Sequence, residues 1–326
     1  MTDFTHLQDL GPIAPFGSDA GEPLADYLDY YGLSPLLTEH VGLYVGYLET
    51  ERYQLWTQVW SPSQAIGTAF VVHGYFDHLG LYRHLLERLL ERGWRVVLWD
   101  LHGHGLSSGR RACIDDFDHY GECLRALQDQ LSDKGLAPRP WLGVGQSTGA
   151  AILATDALSR PDDGHWSGLV LLAPLVRPSG WSQSSWLHLL VGPFVRTLPR
   201  RFKENSTDSE FAIFLREQDP LQPEHLSMNW VSAMRRWMPQ MLALQPSELP
   251  TLILQGEQDL TVDWEWNLAV LERKFPNARI HRHPEARHHL VNEAEAIRHT
   301  LFAALDDFIV DLELPSQVSD EPSTRC

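Results

Sequence analysis

A chain of 326 residues with 43% hydrophobic content is long enough for one large domain carrying an insertion, and too apolar to be read as disordered. A formal net charge of −17 argues against nucleic acid and strongly anionic membranes as partners. Three cysteines (Cys113, Cys123 and Cys326) suggest no disulfide framework; with no basic-then-apolar leader and no run of about 18 apolar residues, the expectation is a cytoplasmic protein without a membrane span.

Residues 1–40 are rich in Pro, Gly, Asp and Tyr and read as an irregular N-terminal extension, with a short helix near 24–31. Residues 41–48 and 53–60 read as two β-runs split by a polar turn, an antiparallel start to a sheet. A buried strand over 67–72 ends in His73-Gly74-Tyr75. Leu81, Leu85, Leu86, Leu89 and Leu90 recur at helical spacing, and Gly93 stops that helix. Residues 94–99 form another apolar strand, ending at Asp100 and a loop that runs to Gly109. A helical pattern over 117–131 follows, then a strand over 140–144, a helix to about 160 and a strand over 168–173. This alternation predicts a mainly parallel sheet with helices on both faces, whose first part spans 41–176.

Between 177 and 245 the strand pattern stops. Trp181, Trp186, Phe194, Trp230 and Trp237 sit among short helical pieces broken by prolines, which reads as an inserted helical cap. The sheet pattern resumes over 249–254, followed by a helix over 264–275, a strand over 278–283 and a closing helix over 295–310, so 246–312 is the second part of the core. Residues 313–326 read as a flexible tail.

The chemistry concentrates at Gly145-Gln146-Ser147-Thr148-Gly149, where an apolar strand meets a small-residue helix. That is the layout of a nucleophile elbow, with glycines two residues either side of the serine allowing close packing. A serine hydroxyl is a weak nucleophile and needs a histidine base held by a carboxylate. Asp259 lies in a loop past one strand end and His288 past the last strand, 29 residues apart (288 − 259), which leaves room for one helix and one strand. Residues at the carboxyl ends of parallel strands converge on one edge of the sheet. Asp263, which reads as a helix start, and His289 are the competing acid and base; Asp156 and Asp219 lie on the wrong elements. The oxyanion donors expected are the backbone N–H of Thr148, next to the serine, and that of Tyr75, after His73-Gly74. His102-x-His104 and His281-x-His283 resemble ligand pairs but lack a third ligand at zinc spacing, and Gly103-x-Gly105 is no nucleotide fingerprint, so neither a metal nor a cofactor is expected.

Val72-His73-Gly74, the loop from Asp100 to Gly109, Gly145 to Gly149, Leu254 to Asp259 and Ala286-Arg287-His288 occur in that order. Together they resemble the α/β-hydrolases of the monoacylglycerol lipase and lysophospholipase-like branch, also described as serine aminopeptidase-like. The resemblance implies an α/β-hydrolase fold with Ser147 as nucleophile, Asp259 as acid, His288 as base and Tyr75 as first oxyanion donor. Two departures stand out: Tyr75-Phe76 is bulky where members often carry a small residue, and Gln146-Ser147-Thr148 replaces the commoner His-Ser-Met or His-Ser-Leu. The expected activity is hydrolysis of lipid-like carboxylic esters, of monoacylglycerol or lysophospholipid type, through an acyl-enzyme on Ser147. The cap tryptophans would line an acyl pocket or pack the cap. Arg196, Arg200, Arg201 and Lys203 would meet an anionic head group or a membrane surface, or form a solvated face. Two other readings stay open: an aminopeptidase or amidase using Glu204, Asp208, Glu210 or Glu217 to bind an ammonium group, and a silent lipid-binding protein on the same fold.

Overall fold

A computed structural model describes residues 3–17, 21–161, 163–181, 195–200 and 202–312. Trp186, Phe194, Arg201, Cys326 and the expected tail over 313–326 lie outside the described residues. The strands are β1 (Ala14–Pro15), β2 (Val41–Glu49), β3 (Gln54–Pro62), β4 (Gly67–Val72), β5 (Trp94–Trp99), β6 (Trp141–Gln146), β7 (Gly168–Leu172), β8 (Thr197–Pro199), β9 (His225–Ser227), β10 (Thr251–Gly256) and β11 (Arg279–His283). One nine-stranded sheet has the order β1-β2-β3-β5-β4-β6-β7-β10-β11. The β1-β2-β3-β5 edge is antiparallel, and from β5 onward every neighbour is parallel.

β4, β6, β7 and β10 are buried along their whole length, as parallel strands covered on both faces must be. Alternate residues feed opposite cores: Phe70 and Val72 of β4 join one, Ala69 and Val71 the other. The first core is closed by α3 (Asp118–Asp133), α4 (Thr148–Ser159) and α7 (Trp264–Lys274). The second is closed by α1 (Gly21–Tyr30), α2 (Arg83–Glu91) and α8 (Glu295–Asp311). α2 shows why: Leu85, Leu86 and Leu89 are buried on one stripe, while Arg88 reaches Asp306 of α8 and Glu91 is exposed.

Two stretches differ from their expectation. The N-terminal segment carries the helix expected near 24–31, as α1, but the rest is packed rather than a loose extension: Phe4, Leu7, Leu24, Tyr27 and Tyr31 are buried, and the Phe4 ring meets Tyr27 edge-on at 5.2 Å. Between 177 and 245, α5 (Ser209–Glu217) and α6 (Met228–Ala243) are accompanied by an antiparallel ribbon of β8 and β9. Strands of three residues are too short to produce a readable alternation. Trp230 and Trp237 of α6 are buried, and Trp237 stacks on Phe117 at 4.4 Å. No described helix is long and apolar enough to cross a membrane.

Candidate active site

Ser147 sits between the end of β6 and the start of α4, at φ 54° and ψ −109°. Residues with a side chain rarely take this conformation, and it persists only where the surroundings enforce it. Here Ser147 N–H donates to Leu172 O (2.8 Å), while Ser147 O accepts from Ala151 N (3.1 Å) and Leu175 N (3.2 Å). The flanking glycines are steric requirements. A Cβ on Gly145 would lie 2.5 Å from Ala150 N, and one on Gly149 would lie 2.0 Å from Val72 O.

The loop after β10 carries Asp259, and the loop after β11 carries His288; both are buried. His288 Nδ1 is 2.7 Å from Asp259 Oδ2, which also accepts from Gln255 Nε2 at 3.2 Å. Asp259 Oδ1 accepts from Thr261 N (2.7 Å) and Val262 N (3.1 Å), so the carboxylate cannot rotate freely. An imidazole that donates from Nδ1 keeps its Nε2 lone pair, the form a base requires. Burial alone would lower the His288 pKa, but the Asp259 carboxylate overrides burial and raises it. Burial alone would raise that of Asp259, but His288 and the backbone donors lower it.

The competing residues have other partners. Asp263 directly precedes α7 and forms an ion pair with Arg177 at 2.6 Å. His289 Nε2 faces Asp77 Oδ2 at 3.2 Å rather than Asp259. Among the described residues no hydrogen bond joins Ser147 Oγ to His288. The elbow meets the His288 loop through Gln146, whose Nε2 donates to His288 O at 2.8 Å.

The turn that carries Tyr75 is held from behind. Tyr82 OH accepts from Gly74 N (3.0 Å) and donates to Asp77 Oδ2 (3.0 Å), and Asp77 N donates to Gly74 O (3.1 Å). Phe76, at φ 74°, completes this tight turn. Burial would hold Asp77 neutral, but His289, with support from His73 and Arg200, keeps its carboxyl well below the ordinary range. Thr148 is the first residue of α4, so its N–H has no acceptor within the helix. The bulk of Tyr75 is spent on the cap: its OH donates to Ala112 O (2.7 Å) and accepts from Ser227 N (3.2 Å), and its ring stacks on Trp230 at 4.0 Å.

Asp77, Tyr82, the pairing of His289, and Asn205, whose carbonyl accepts from both His288 N (3.0 Å) and His289 N (2.8 Å), were not singled out for these roles by sequence reasoning. The one signal available was the place of Asp77, three residues after Gly74. The Asp100 loop is scaffold: Asp100 accepts from Leu79 N and Leu106 N (both 2.7 Å), and Leu101 N donates to His73 Nε2 (2.8 Å). His102 stacks on Tyr53 at 4.1 Å, and burial pushes its pKa down to about 3. Among the described residues no three His, Cys, Asp or Glu side chains gather as a metal set. Beside His288 opens a groove of about 640 Å³, bordered by Lys203, Asn205, Leu260, Thr261 and Arg287.

Residues 63–295, which contain Tyr75, Ser147, Asp259 and His288, match the serine aminopeptidase S33 family. The chain belongs to that family. This S33 protein is therefore a serine hydrolase. It is 26% identical over 273 residues to the monoglyceride lipase of Homo sapiens, covering 78% of this chain and 86% of the relative. It is 24% identical over 265 residues to the monoglyceride lipase homolog of Monkeypox virus, covering 78% and 94%. Among solved structures, the monoacylglycerol lipase of Paleococcus ferrophilus superposes with a TM-score of 0.67 at 21% identity, over 78% of this chain and 98% of that one. A soluble variant of the Saccharomyces cerevisiae monoglyceride lipase gives 0.69 at 17% identity, over 81% and 94%. These likenesses show that the S33 chain has the α/β-hydrolase fold.

Proposed function

We propose that this S33 hydrolase cleaves carboxylic esters of lipid-like substrates, of monoacylglycerol or lysophospholipid type, through an acyl-enzyme on Ser147. The observation that carries the reading is the strained Ser147 at the strand–helix junction, with the His288–Asp259 pair at 2.7 Å on the loops after β11 and β10. In this reading His288 Nε2 takes the Ser147 proton as Oγ attacks the acyl carbon. The N–H groups of Tyr75 and Thr148 receive the developing oxyanion. The C–O bond to the alcohol then breaks, and the alcohol leaves with the proton from His288. Water, deprotonated by His288, attacks the acyl-enzyme and releases the fatty acid and free Ser147.

Lipid-like esters are supported by the monoglyceride lipases among its relatives and by the apolar Leu260, 72% exposed on the rim of the groove beside His288. The aminopeptidase reading has less support. Of the four acids available to bind an ammonium group, Glu204 pairs with Arg287 (3.0 Å), Glu217 pairs with Arg216 (2.8 Å) and Asp208 caps α5. The proposed setting is the cytoplasm, in keeping with the free thiols of Cys113 and Cys123. A panel of p-nitrophenyl esters from butyrate to palmitate against aminoacyl-p-nitroanilides tests the reading. Ester turnover well above anilide turnover is expected; the reverse order would overturn it.

A further inference from the structure

Arg200, directly after β8, carries a guanidinium that the fold encloses but does not neutralise. Its plane lies over the rings of Phe76 (4.3 Å) and Phe202 (4.4 Å), and Nη1 donates to Gln222 Oε1 and Pro223 O. Among the described residues no carboxylate is in ion-pair contact with it. The two acids whose fields reach it, Asp77 and Asp219, each already face a histidine: His289 at 3.2 Å and His78 at 2.9 Å. Burial lowers the Arg200 pKa to about 10, which leaves it cationic at neutral pH.

Arg200 borders a cavity of about 60 Å³ together with Lys203, Glu204 and Arg216 on its polar side and Phe211, Ala212 and Leu215 on its apolar side. Arg287 holds Glu204 at 3.0 Å, and Glu217 holds Arg216 at 2.8 Å. Among the described residues Arg200 and Lys203 are the bordering cations without a carboxylate in ion-pair contact, and Lys203 donates to Leu260 O at 2.9 Å. This excess of positive charge stands out in a chain of net charge −17. The volume suits about two waters, or one phosphate or carboxylate group. Its position points to the leaving-group side. Lys203, Glu204 and Asn205 border both this cavity and the larger groove that reaches His288, and Asn205 O holds the backbone of His288 and His289. His288 is the group that would hand a proton to the departing alcohol.

We propose that Arg200 and Lys203 form an anion subsite that selects esters whose leaving alcohol carries a phosphate or a carboxylate. The proposal rests on the acyl-enzyme reading above and narrows it: a monoacylglycerol, with its neutral glycerol, would be the poorer substrate. A guanidinium placed without a carboxylate partner gains a charge-assisted hydrogen bond with such a group and nothing with a bare hydroxyl, a difference of roughly 10- to 100-fold.

The test compares kcat/KM of the full chain on three esters with one acyl chain in common: 1-acylglycerol, 1-acylglycerol 3-phosphate and the corresponding acyl ester of glyceric acid. The wild type is expected to favour one or both anionic esters by roughly 10-fold or more; which one leads tells phosphate from carboxylate. Arg200→Gln is expected to collapse that ratio, and Arg200→Lys to restore part of it. Glycerol 3-phosphate should inhibit wild-type turnover of p-nitrophenyl butyrate at concentrations where glycerol does not, a readout that needs no variant to fold. No preference in the wild type, equal inhibition by the two glycerols, or a ratio unchanged in Arg200→Gln would overturn the subsite. Normal turnover of p-nitrophenyl butyrate alongside any of these results leaves the acyl-enzyme reading standing. Absence of ester turnover altogether would sink both.

Discussion

Asp259→Asn exchanges one oxygen for an amide nitrogen inside a fully engaged carboxylate, and the surrounding donors dictate how the amide must sit. Thr261 N and Val262 N both donate to Oδ1, at 2.7 and 3.1 Å, so the remaining oxygen stays there. The amide nitrogen then occupies the position of Oδ2, facing His288 Nδ1 at 2.7 Å and Gln255 Nε2 at 3.2 Å. An amide donates, so His288 must accept at Nδ1 and carry its proton on Nε2. That is the tautomer that cannot take a proton from Ser147. The expected loss in kcat is roughly 10⁴-fold, about 5 kcal/mol of transition-state stabilisation. The pH profile should move as well. His288 is raised above its ordinary value of 6.5 because the Asp259 charge overrides burial. The wild-type rising limb of kcat/KM should therefore lie above that value, and in the variant, where burial acts without the opposing charge, it should move to lower pH. Steady-state kinetics on p-nitrophenyl butyrate across pH 5–9, with thermal melting to confirm folding, read both effects. A variant within ten-fold of the wild type, or a limb that stays in place, would refute the reasoning.

Gly149→Ala should show that the elbow is held by close packing. A Cβ 2.0 Å from Val72 O forces α4 to recede from β4 by at least about 1 Å. The expected cost is about 1–3 kcal/mol in urea unfolding, with a loss of roughly 100-fold in kcat from misplaced Ser147; wild-type stability and rate together would contradict it. Asp219→Ala removes a buried carboxylate that accepts from Tyr31 OH (2.8 Å), His78 Nε2 (2.9 Å), Leu221 N (3.0 Å) and Gln222 Nε2 (2.9 Å). Breaking such a pair should destabilise the fold by about 3–5 kcal/mol. Burial opposes both charges, but the partners raise His78 above its ordinary value and lower Asp219 below its own. The Asp219 contribution is present above the ordinary carboxylate range and is lost as pH falls through its lowered value. That of His78 is present below 6.5 and is lost as pH rises through its raised value. The deficit measured by denaturant melts should therefore be largest between about pH 4 and 6.5 and should narrow at higher pH; a deficit independent of pH would count against the pairing.

The parallel half of the sheet was legible because β4, β6, β7 and β10 are short apolar runs that each end in a turn residue, and a strand covered on both faces has no other pattern to show. Loops that follow such strands must share one edge of the sheet, so Ser147, Asp259 and His288 could be named together from their order alone. What sequence reading left out depends on contacts between distant loops. Nothing local marks Asp77 as the partner of His289, 212 residues later (289 − 77), or Asn205 as the carbonyl that holds both histidines. Within the N-terminal segment the helical spacing of Leu24, Tyr27, Leu28 and Tyr31 marks α1, whereas Phe4 and Leu7 belong to no readable period, so the packing of residues 4–7 against that helix could not be read from sequence. Gln146 and Tyr75 depart from the family pattern, and each has a structural use: one ties the strand–helix turn of Ser147 to the His288 loop, the other ties the turn after β4 to α6.

The most direct test of the account is labelling by a fluorophosphonate probe, which phosphonylates only a serine activated by its neighbours. Wild type is expected to incorporate one probe, located to the Ser147 peptide by mass spectrometry, while folded Ser147→Ala incorporates none. Equal labelling of the two, or a probe located on another serine, would contradict the assignment of Ser147 as the nucleophile.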